Sequence, residues 1–410
     1  MVECLEDDYE VFGVLEDLYR NNVSIIAWGF KSYLYGNDEN FLNSLNEMLS
    51  SKKDYRIKSN HVIYDGGAIG YISYDAVRFW EKIKDLKPQA ENWPYAEFFI
   101  PENIALYVND RVIPISGDHE YLERCLRRGE GKKEFKISRY DDMLDREKYE
   151  KGVREILEYI RAGYAFQVVL SRFYRYVYNG SLVTFYDKLR NTNPSPYTYY
   201  LKFFNRRIIG ASPEVLFKLH DNIVETYPIA GTRPRGKTDE EDESLKEELL
   251  NSVKDRAEHL MLLDLARNDL GKVCEAGTVQ VPEMFYIEKY SHVQHIVSKV
   301  IGRLHKRHNV YDVIKAVFPA GTVSGAPKPF AMNLIEVLED YKRGPYAGAV
   351  GYINFNGDAE FAIAIRTAFI NRELLRIQAG AGIVYDSDPR LEYEETEHKL
   401  MALKVALGVS

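Results

Sequence analysis

Two pairs of acidic residues have types and spacings that could hold a divalent cation. Asp255 and Glu258 lie three residues apart in a segment whose apolar residues recur at helical intervals, so they share one helix face. Glu392 and Glu395 repeat this spacing in a second helical segment. Carboxylates on two helices suit a hard cation such as Mg2+, which binds oxygen and keeps waters or substrate oxygens. Either pair could also be a solvated acidic face, because spacing does not show that the helices meet.

A di-iron site is the alternative metal centre. Glu395 and His398 match the Glu-x-x-His pattern of carboxylate bundles, and His259 could serve the other helix. Such a site needs four long helices, whereas the sequence between the two acidic pairs is largely strand-like. The residues therefore favour Mg2+ and leave iron open.

Three further polar residues stand at unusual places. Arg366 lies inside an apolar segment predicted as a strand, which indicates either a bound carboxylate substrate or a buried salt bridge. His295 lies in a β-branched strand-like segment, and Glu214 sits where a loop enters a strand; both could be structural. Glycines that would let backbone N–H groups approach a ligand follow predicted strands, namely Gly231, Gly236, Gly321, Gly325, Gly380 and Gly382.

The composition narrows the class of protein. The chain has 410 residues, 28% charged and 45% hydrophobic, with a formal net charge of -8 and no long basic block, which argues against a nucleic-acid partner. No apolar run reaches the length of a membrane span, so no membrane partner is predicted. Cys4, Cys125 and Cys274 are scattered without a CxxC motif, which favours a reducing cytoplasm over a disulfide framework or zinc site.

The element pattern predicts an α+β fold with mostly antiparallel sheets, because strands come in runs with helices between them. The turn at residues 356–358, Asn-Gly-Asp, is the clearest hairpin signal. Helices are predicted over residues 76–88 and, as one long helix, from about 249 to 271. The charged, glycine-punctuated stretch 121–142 is predicted to be a linker or exposed connection.

Seven motifs occur together and in order: PIAGTRPRG, DRAEHLMLLDLARNDLGKV, YSHVQHIVSKVIG, FPAGTVSGAPK, AIAIRTAFI, AGAGIVYDS and EYEETEHK. On these motifs the chain resembles the chorismate-utilising enzymes, most closely the anthranilate synthase component I group. The resemblance is close from about residue 150 to 410 and looser before that. It implies two large, mostly antiparallel sheets packed as a sandwich with helices outside. An N-terminal region (1–140) and a catalytic region (145–410) would form one intertwined unit.

The resemblance also implies roles for individual residues. Glu258 and Glu395 would bind Mg2+, with Asp255 and Glu392 beside them, and the metal would hold the ring carboxylate of chorismate. Glu214 would protonate the departing 4-hydroxyl, His295 would serve pyruvate elimination, and Thr322 lies in the matching PAGT loop. Arg366 would bind the enolpyruvyl carboxylate. The matching chorismate contacts are Gly231, Thr232, Tyr352, Arg366, Gly380, Ala381 and Gly382.

The implied activity is that of an Mg2+-dependent lyase that makes anthranilate from chorismate and ammonia in tryptophan biosynthesis. Water-adding relatives use a lysine base where this sequence has Gln167, and aminodeoxychorismate synthases use a lysine nucleophile where it has Ala230. Both differences favour anthranilate. Because the chain has no glutaminase triad motif, a separate glutamine amidotransferase subunit is implied as the ammonia source. The alternatives are aminodeoxychorismate synthase component I and a non-catalytic chorismate-binding paralogue.

Regulation is the weakest part of the resemblance. Tryptophan-inhibited relatives carry LLES near the N-terminus and NPSPYM further on. Here the first motif is Val14-Leu15-Glu16-Asp17 followed by a short gap to Ser24, and the second ends in Pro196, Tyr197 and Thr198. These departures predict weak or absent feedback inhibition by tryptophan.

Overall fold

The computed structural model describes residues 1–17, 23–51, 64, 66–108, 111–127, 134–143, 145–290 and 293–409. Three parts of the sequence predictions lie outside these described residues. They are the gap at 18–22 in the tryptophan comparison, the middle of the predicted linker at 128–133, and positions 291–292 of the YSHVQHIVSKVIG motif.

The described residues form a mixed helix and strand fold, as predicted. The helices are α1 (Val2–Asp8), α2 (Phe41–Ser50), α3 (His119–Arg127), α4 (Arg146–Arg161), α5 (Leu182–Thr192), α6 (Asp239–Asn251), α7 (Val253–Gly271), α8 (Val310–Val317), α9 (Lys328–Leu338) and α10 (Pro389–Leu407). The strands are β1 (Val11–Asp17), β2 (Val23–Gly36), β3 (Gly67–Ile72), β4 (Ala96–Val108), β5 (Arg111–Ser116), β6 (Phe135–Met143), β7 (Gln167–Gly180), β8 (Tyr197–Phe203), β9 (Arg206–Ser212), β10 (Val215–His220), β11 (Ile223–Thr226), β12 (Ile229–Pro234), β13 (Gln280–Lys289), β14 (Val293–Arg303), β15 (Gly325–Ala326), β16 (Ala349–Asn354), β17 (Ala359–Ile363), β18 (Thr367–Asn371) and β19 (Leu374–Ile383).

Every pairing between these strands is antiparallel. One path runs β6-β7-β19-β18-β9-β8-β1-β2-β4-β3-β16-β17-β10-β11-β14-β13. The short strands β5, β12 and β15 pair with β4, β14 and β7. The two halves of this path meet at the long strands β2 and β4, which pair with each other over nearly their whole length. The mostly antiparallel architecture is therefore confirmed, with its two halves hydrogen-bonded into one continuous order.

Strands from the first 140 residues are inserted among later ones. Strand β1 pairs with β8, and β3 pairs with β16. The division into regions 1–140 and 145–410 itself stays a prediction. None of the described helices combines the length and the apolar character needed to cross a membrane.

The sheet buries both of its faces. Along β18, Phe369 packs into one apolar core while its neighbours Ala368 and Ile370 pack into another. Successive strand side chains point to opposite faces, so this alternation requires covering elements on both sides. On the second face, α5 and the C-terminal half of α10 supply Phe185 and Leu403 to the core.

Three predicted elements differ from the observed ones. The long helix at 249–271 is two helices, because the Ser252 side chain accepts a hydrogen bond from Asp255 N and begins α7 as an N-cap. The segment 76–88 is helical only to Phe79, because later backbone N–H groups donate to Glu336 instead of to their own chain. The predicted linker 121–142 contains α3 and β6, and β6 is held by its pairing with β7.

Candidate active site

Two helices place acidic side chains at one cleft. On α7, Asp255 accepts a hydrogen bond from Arg233 at 3.1 Å, whereas no described residue bonds to Glu258. Burial and the negative charge of Glu395 raise the pKa of Glu258. Burial also raises the pKa of Glu392 to about 7, and its Oε2 atom is buried without a hydrogen-bond partner. These carboxylates repel one another across the cleft, which a bound cation would relieve.

Lys399 is the cation that pairs directly with Glu395 in this cluster. Its Nζ lies 2.7 Å from Glu395 Oε1 and donates to the carbonyl of Gly380 at 2.9 Å. Burial would raise the pKa of Glu395, but the charge and hydrogen bond of Lys399 outweigh burial and lower it. Sequence reasoning missed Lys399, although its position four residues after Glu395 on the same helix face was visible in EYEETEHK.

The acidic cluster fits Mg2+ better than a closed metal site. In the described part of the chain, three ligand atoms come within 4.8 Å of one another only at the exposed group His220, Asp221 and Asp358. The acids of α7 and α10 are more widely spaced, so a cation there would need waters or substrate oxygens, as Mg2+ does. Helix α7 packs against β12, β14 and α8, whereas α10 packs against β19, α4 and α5. In the described part of the chain, the two acid-bearing helices therefore have different neighbours and do not belong to one four-helix bundle.

Glu214 and Thr322 are hydrogen-bonded to each other at the start of β10. Glu214 is buried and accepts a hydrogen bond from Thr322 Oγ1 at 2.8 Å. Burial raises the pKa of Glu214 to about 7, while Thr322 and the charge of Lys399 oppose the rise. Both residues line a cavity with an empty volume of about 430 Å3. A carboxyl group with this pKa can hold a proton near neutral pH and release it to a reacting group.

His295 is oriented by a bulge in strand β12. The strand register shifts between Ala230 and Thr232, and Gly231 adopts a left-handed conformation with φ 69°. This turns the Gly231 carbonyl towards His295 Nδ1, at 2.9 Å. Because a carbonyl only accepts, Nδ1 carries the proton and Nε2 remains free to accept one. Burial lowers the pKa of His295, and the charge of Arg366 lowers it further, so the ring is neutral.

Arg366 lies in the break between β17 and β18, not inside a strand as predicted. It has φ 53°, a conformation that is strained for a non-glycine residue. Burial lowers the pKa of Arg366 to about 10, and its guanidinium donates to the carbonyl of Lys399. Among the residues that the structure describes, no carboxylate lies within ion-pair distance of Arg366. The buried salt bridge considered from sequence is therefore not formed among the described residues, although the negative charge of Glu395 acts on Arg366 from a greater distance.

The glycine-rich end of β19 contacts Lys399, whose backbone carbonyl also accepts from Arg366. Gly380 supplies the carbonyl that holds Lys399, and Ala381 is fully buried in the core beneath. A Cβ atom at Gly382 would lie 2.4 Å from Gln167 Nε2, so a larger residue here would displace the amide of Gln167. Gln167 is buried, and its Oε1 has no hydrogen-bond partner.

The structure does not bring Tyr352 to this site. Its side chain packs edge-on against Tyr64, and its hydroxyl donates to Glu360 at 3.3 Å. Tyr346, six residues earlier, lies near Arg366 instead: burial raises the pKa of Tyr346, and the charge of Arg366 and a hydrogen bond from the Gly380 backbone partly oppose this. The structure therefore contradicts the predicted place of Tyr352, which the sequence could not distinguish from Tyr346 because both precede Arg366 in one apolar run.

Tyr352 lines a second cavity, with an empty volume of about 610 Å3. This cavity also contains the predicted regulatory residues Tyr197 and Thr198, together with Leu15 and Glu16 of β1. Pro196 immediately precedes β8 and is not one of its lining residues. The two sequence segments compared for tryptophan binding therefore do meet, because β1 pairs with β8.

Comparison with known proteins decides the family. The family model described as chorismate binding enzyme matches residues 14–405. The chain belongs to the chorismate binding enzyme family. A family member from Saccharolobus solfataricus, named anthranilate synthase component 1, is 61% identical over 99% of this chain and 96% of its own length. Anthranilate synthase component 1 of Aquifex aeolicus is 44% identical over 84% of this chain and 75% of its own length.

Family membership extends to the three-dimensional structure. The crystal structure of anthranilate synthase component I from Streptococcus pneumoniae TIGR4 aligns with a TM-score of 0.81 at 35% identity. The alignment covers 93% of this chain and 92% of the other. The sequence resemblance to chorismate-utilising enzymes is thereby confirmed.

Proposed function

We propose that this chain is the chorismate-converting subunit of an anthranilate synthase, a lyase that forms anthranilate and pyruvate from chorismate and ammonia. The observation that carries the proposal is the convergence of Glu214, Arg366 and the Glu258–Glu395 acids around Lys399. The charge of Lys399 lowers the pKa of Glu214 and of Glu395, so it reaches both the proton donor and the acidic cluster. Relatives across nearly the whole chain carry the matching name.

Substrate binding follows from the positive groups in the cleft. Arg366 has no carboxylate partner of its own, so its guanidinium would bind the enolpyruvyl carboxylate, with Tyr346 beside it. Lys399 would form an ion pair with the ring carboxylate, and the carbonyl of Gly380 holds the side-chain Nζ of Lys399 in place. Two carboxylates held at two points would orient the ring between Glu214 and His295.

The acids on α7 and α10 fit Mg2+ as a bound cofactor. Glu258 and Glu395 would hold it, with Glu392 adjacent and Asp255 already paired to Arg233. When bound, Mg2+ stabilises negative charge on the ring carboxylate while the amine adds.

Two proton transfers are assigned to this chain's residues. Hydroxide is a poor leaving group, so Glu214 would deliver its proton to the 4-hydroxyl, which leaves as water while ammonia bonds to ring carbon C2 and the ring double bonds shift; Thr322 would fix the carboxyl rotamer. In the second step, His295 Nε2 would accept the ring proton next to the amino group as the enolpyruvyl group leaves. Protonation of that group gives pyruvate, and the ring becomes aromatic.

Two residues favour ammonia over other nucleophiles. Gln167 occupies the wall of the site but cannot deprotonate water, and Ala230 carries only a methyl group, so it cannot form a covalent adduct as the aminodeoxychorismate synthases do. We therefore propose a glutamine amidotransferase partner as the ammonia source, in keeping with the term component 1 in the relatives' names. The three cysteines are all unpaired, which supports a reducing, cytoplasmic setting.

Replacing Arg366 by lysine tests the carboxylate-binding role. A hydrogen bond between charged groups contributes about 1.5–3 kcal/mol, so losing the planar guanidinium should raise KM for chorismate about 10- to 100-fold. The kcat value should change less, because the interaction forms before the chemical step. Steady-state kinetics at saturating ammonium separate the two constants, with Arg372→Lys as a control on a nearby turn. Unchanged KM would contradict the assignment.

Tryptophan inhibition is expected to be weak. Thr198 lines the second cavity where inhibited relatives have methionine, and it offers less apolar surface to an indole ring. Titration of tryptophan in a steady-state assay should therefore give inhibition well above the micromolar range, and Thr198→Met should strengthen it. Potent inhibition of the unmodified chain at micromolar tryptophan would contradict this expectation.

One incubation tests the proposed function as a whole. Purified chain is mixed with chorismate, Mg2+ and an ammonium salt at alkaline pH, and the product is identified by fluorescence and mass. Anthranilate plus pyruvate is the expected outcome. Accumulation of aminodeoxychorismate would favour the alternative enzyme, and the absence of any turnover would favour a non-catalytic paralogue.

A further inference from the structure

Four neighbouring aromatic side chains at the surface are called here the aromatic patch: Tyr159, Tyr164 and Phe166, which are exposed, and Phe330, which is partly buried. Phe166 is 69% exposed and Tyr164 is 59% exposed, which is unusual for large apolar groups. The ring of Tyr164 stacks on Phe330 at 5.7 Å, and Tyr159 meets both rings edge-on. Three of the four rings thus pack on one another, and the exposed ring of Phe166 lies two residues after Tyr164 in the same segment.

The aromatic patch ends one residue from the site. Tyr164 and Phe166 lie between α4 and β7, and Phe166 N donates to the carbonyl of Ala326 at 2.8 Å, which fixes the segment. The next residue, Gln167, begins β7, and its side chain lies against Gly382 in the wall of the cleft. Phe166 on the exposed surface and Gln167 in the interior of the site are therefore consecutive residues.

Gln167 could bind ammonia that enters the site from the aromatic patch. Its Oε1 is a buried hydrogen-bond acceptor with no partner, which is costly unless a donor arrives during function. Ammonia is a small donor that would satisfy the oxygen. Ammonia released into water at neutral pH becomes ammonium, which is not a nucleophile, so a subunit that supplies it should seal the entrance.

We propose that the aromatic patch is the docking surface for the glutamine-hydrolysing subunit, and that ammonia enters the site past Gln167. This inference rests on the proposed function, because it presupposes that ammonia is the co-substrate. Exposed, rigid tyrosine and phenylalanine rings dominate binding energy in many protein interfaces. The exposed residues Glu158 and Arg161 supply a polar rim on α4.

The test compares two ammonia sources in the full chain. The double variant Tyr164→Ser/Phe166→Ser is assayed with ammonium salt, and then with glutamine plus the component 2 glutaminase subunit of the same organism. Activity with ammonium should stay within about twofold of the unmodified chain. Activity with glutamine, and affinity for the glutaminase subunit by calorimetry, should each fall at least about tenfold.

Two further variants make the result decisive. Tyr159→Ser alters the patch on α4, away from Gln167, and should also weaken glutaminase binding. Leu126→Ser removes a 54% exposed apolar side chain from α3 and should leave every quantity unchanged. Unchanged affinity of both patch variants, or equal loss of the two activities, would overturn the docking surface. Absence of ammonium-dependent activity in the unmodified chain would instead refute the proposed function, while the affinity measurement would still decide the docking surface.

Discussion

Replacing Glu214 by glutamine is expected to lower kcat about 10²- to 10⁴-fold, the usual contribution of a positioned general acid. Glutamine keeps the size of the side chain and can still accept the hydrogen bond from Thr322, so the fold and KM should change little. A carboxamide N–H is too weak an acid to protonate the 4-hydroxyl as it leaves. Steady-state consumption of chorismate at saturating ammonium measures the effect.

The pH dependence of kcat tests whether the carboxyl group of Glu214 is the general acid. Burial raises the pKa of Glu214 to about 7, so the active, protonated form predominates below that pH and is lost as pH rises through it. At constant free ammonia, kcat should decline on the alkaline side in the unmodified chain, and this limb should vanish in Glu214→Gln. Glu360→Gln, at the second cavity, is the matched control. If Glu214→Gln kept activity within threefold of the unmodified chain, the assignment of Glu214 as the general acid would be contradicted.

Glu258→Gln is expected to abolish the response to Mg2+. A metal at a developing charge contributes several kcal/mol, so chelation of Mg2+ or loss of its ligand should lower kcat/KM by about 10²- to 10³-fold. A ligand that binds only the folded state stabilises it, by about 2.7 kcal/mol at a hundredfold excess over Kd. Mg2+ should therefore raise the melting temperature of the unmodified chain and leave that of the variant unchanged.

The same variant has an opposite effect without metal. Burial and the charge of Glu395 raise the pKa of Glu258, which shows that the ionised side chain is disfavoured there. In Mg2+-free buffer, Glu258→Gln should melt at or above the temperature of the unmodified chain, because like-charge repulsion is removed. Glu283→Gln removes an exposed acid on β13. It should neither abolish the stabilisation by Mg2+ nor raise the melting temperature in Mg2+-free buffer. Equal Mg2+ stabilisation of Glu258→Gln and the unmodified chain would contradict the metal assignment.

Local patterns in the sequence predicted the parts of this fold that depend on neighbouring residues. The turn at 356–358 joins β16 to β17 as its Asn-Gly-Asp signal indicated. Asp255, Glu258, Glu392 and Glu395 face one cleft, although the spacing within each pair could not show that α7 and α10 approach each other. That approach depends on long-range pairings such as β1 with β8, which no local pattern encodes.

The errors have equally local causes. Tyr352 and Tyr346 both precede Arg366 in one apolar run, and only the three-dimensional structure shows which of them lies beside its guanidinium. The left-handed conformation of Arg366 was invisible because arginine rarely adopts it. Lys399 was overlooked because a lysine four residues after a glutamate is ordinarily a surface helix pair.

The interleaved strand order also constrains how this chain folds during its synthesis. Strand β1 finds a neighbour in β8, nearly two hundred residues later, and β3 waits for β16, close to three hundred residues later. Contacts of such sequence separation must close long loops before they contribute energy, which slows folding. While the ribosome is still extending the chain, β3 therefore has an unsatisfied edge, and this interval is where a chaperone would have most to protect.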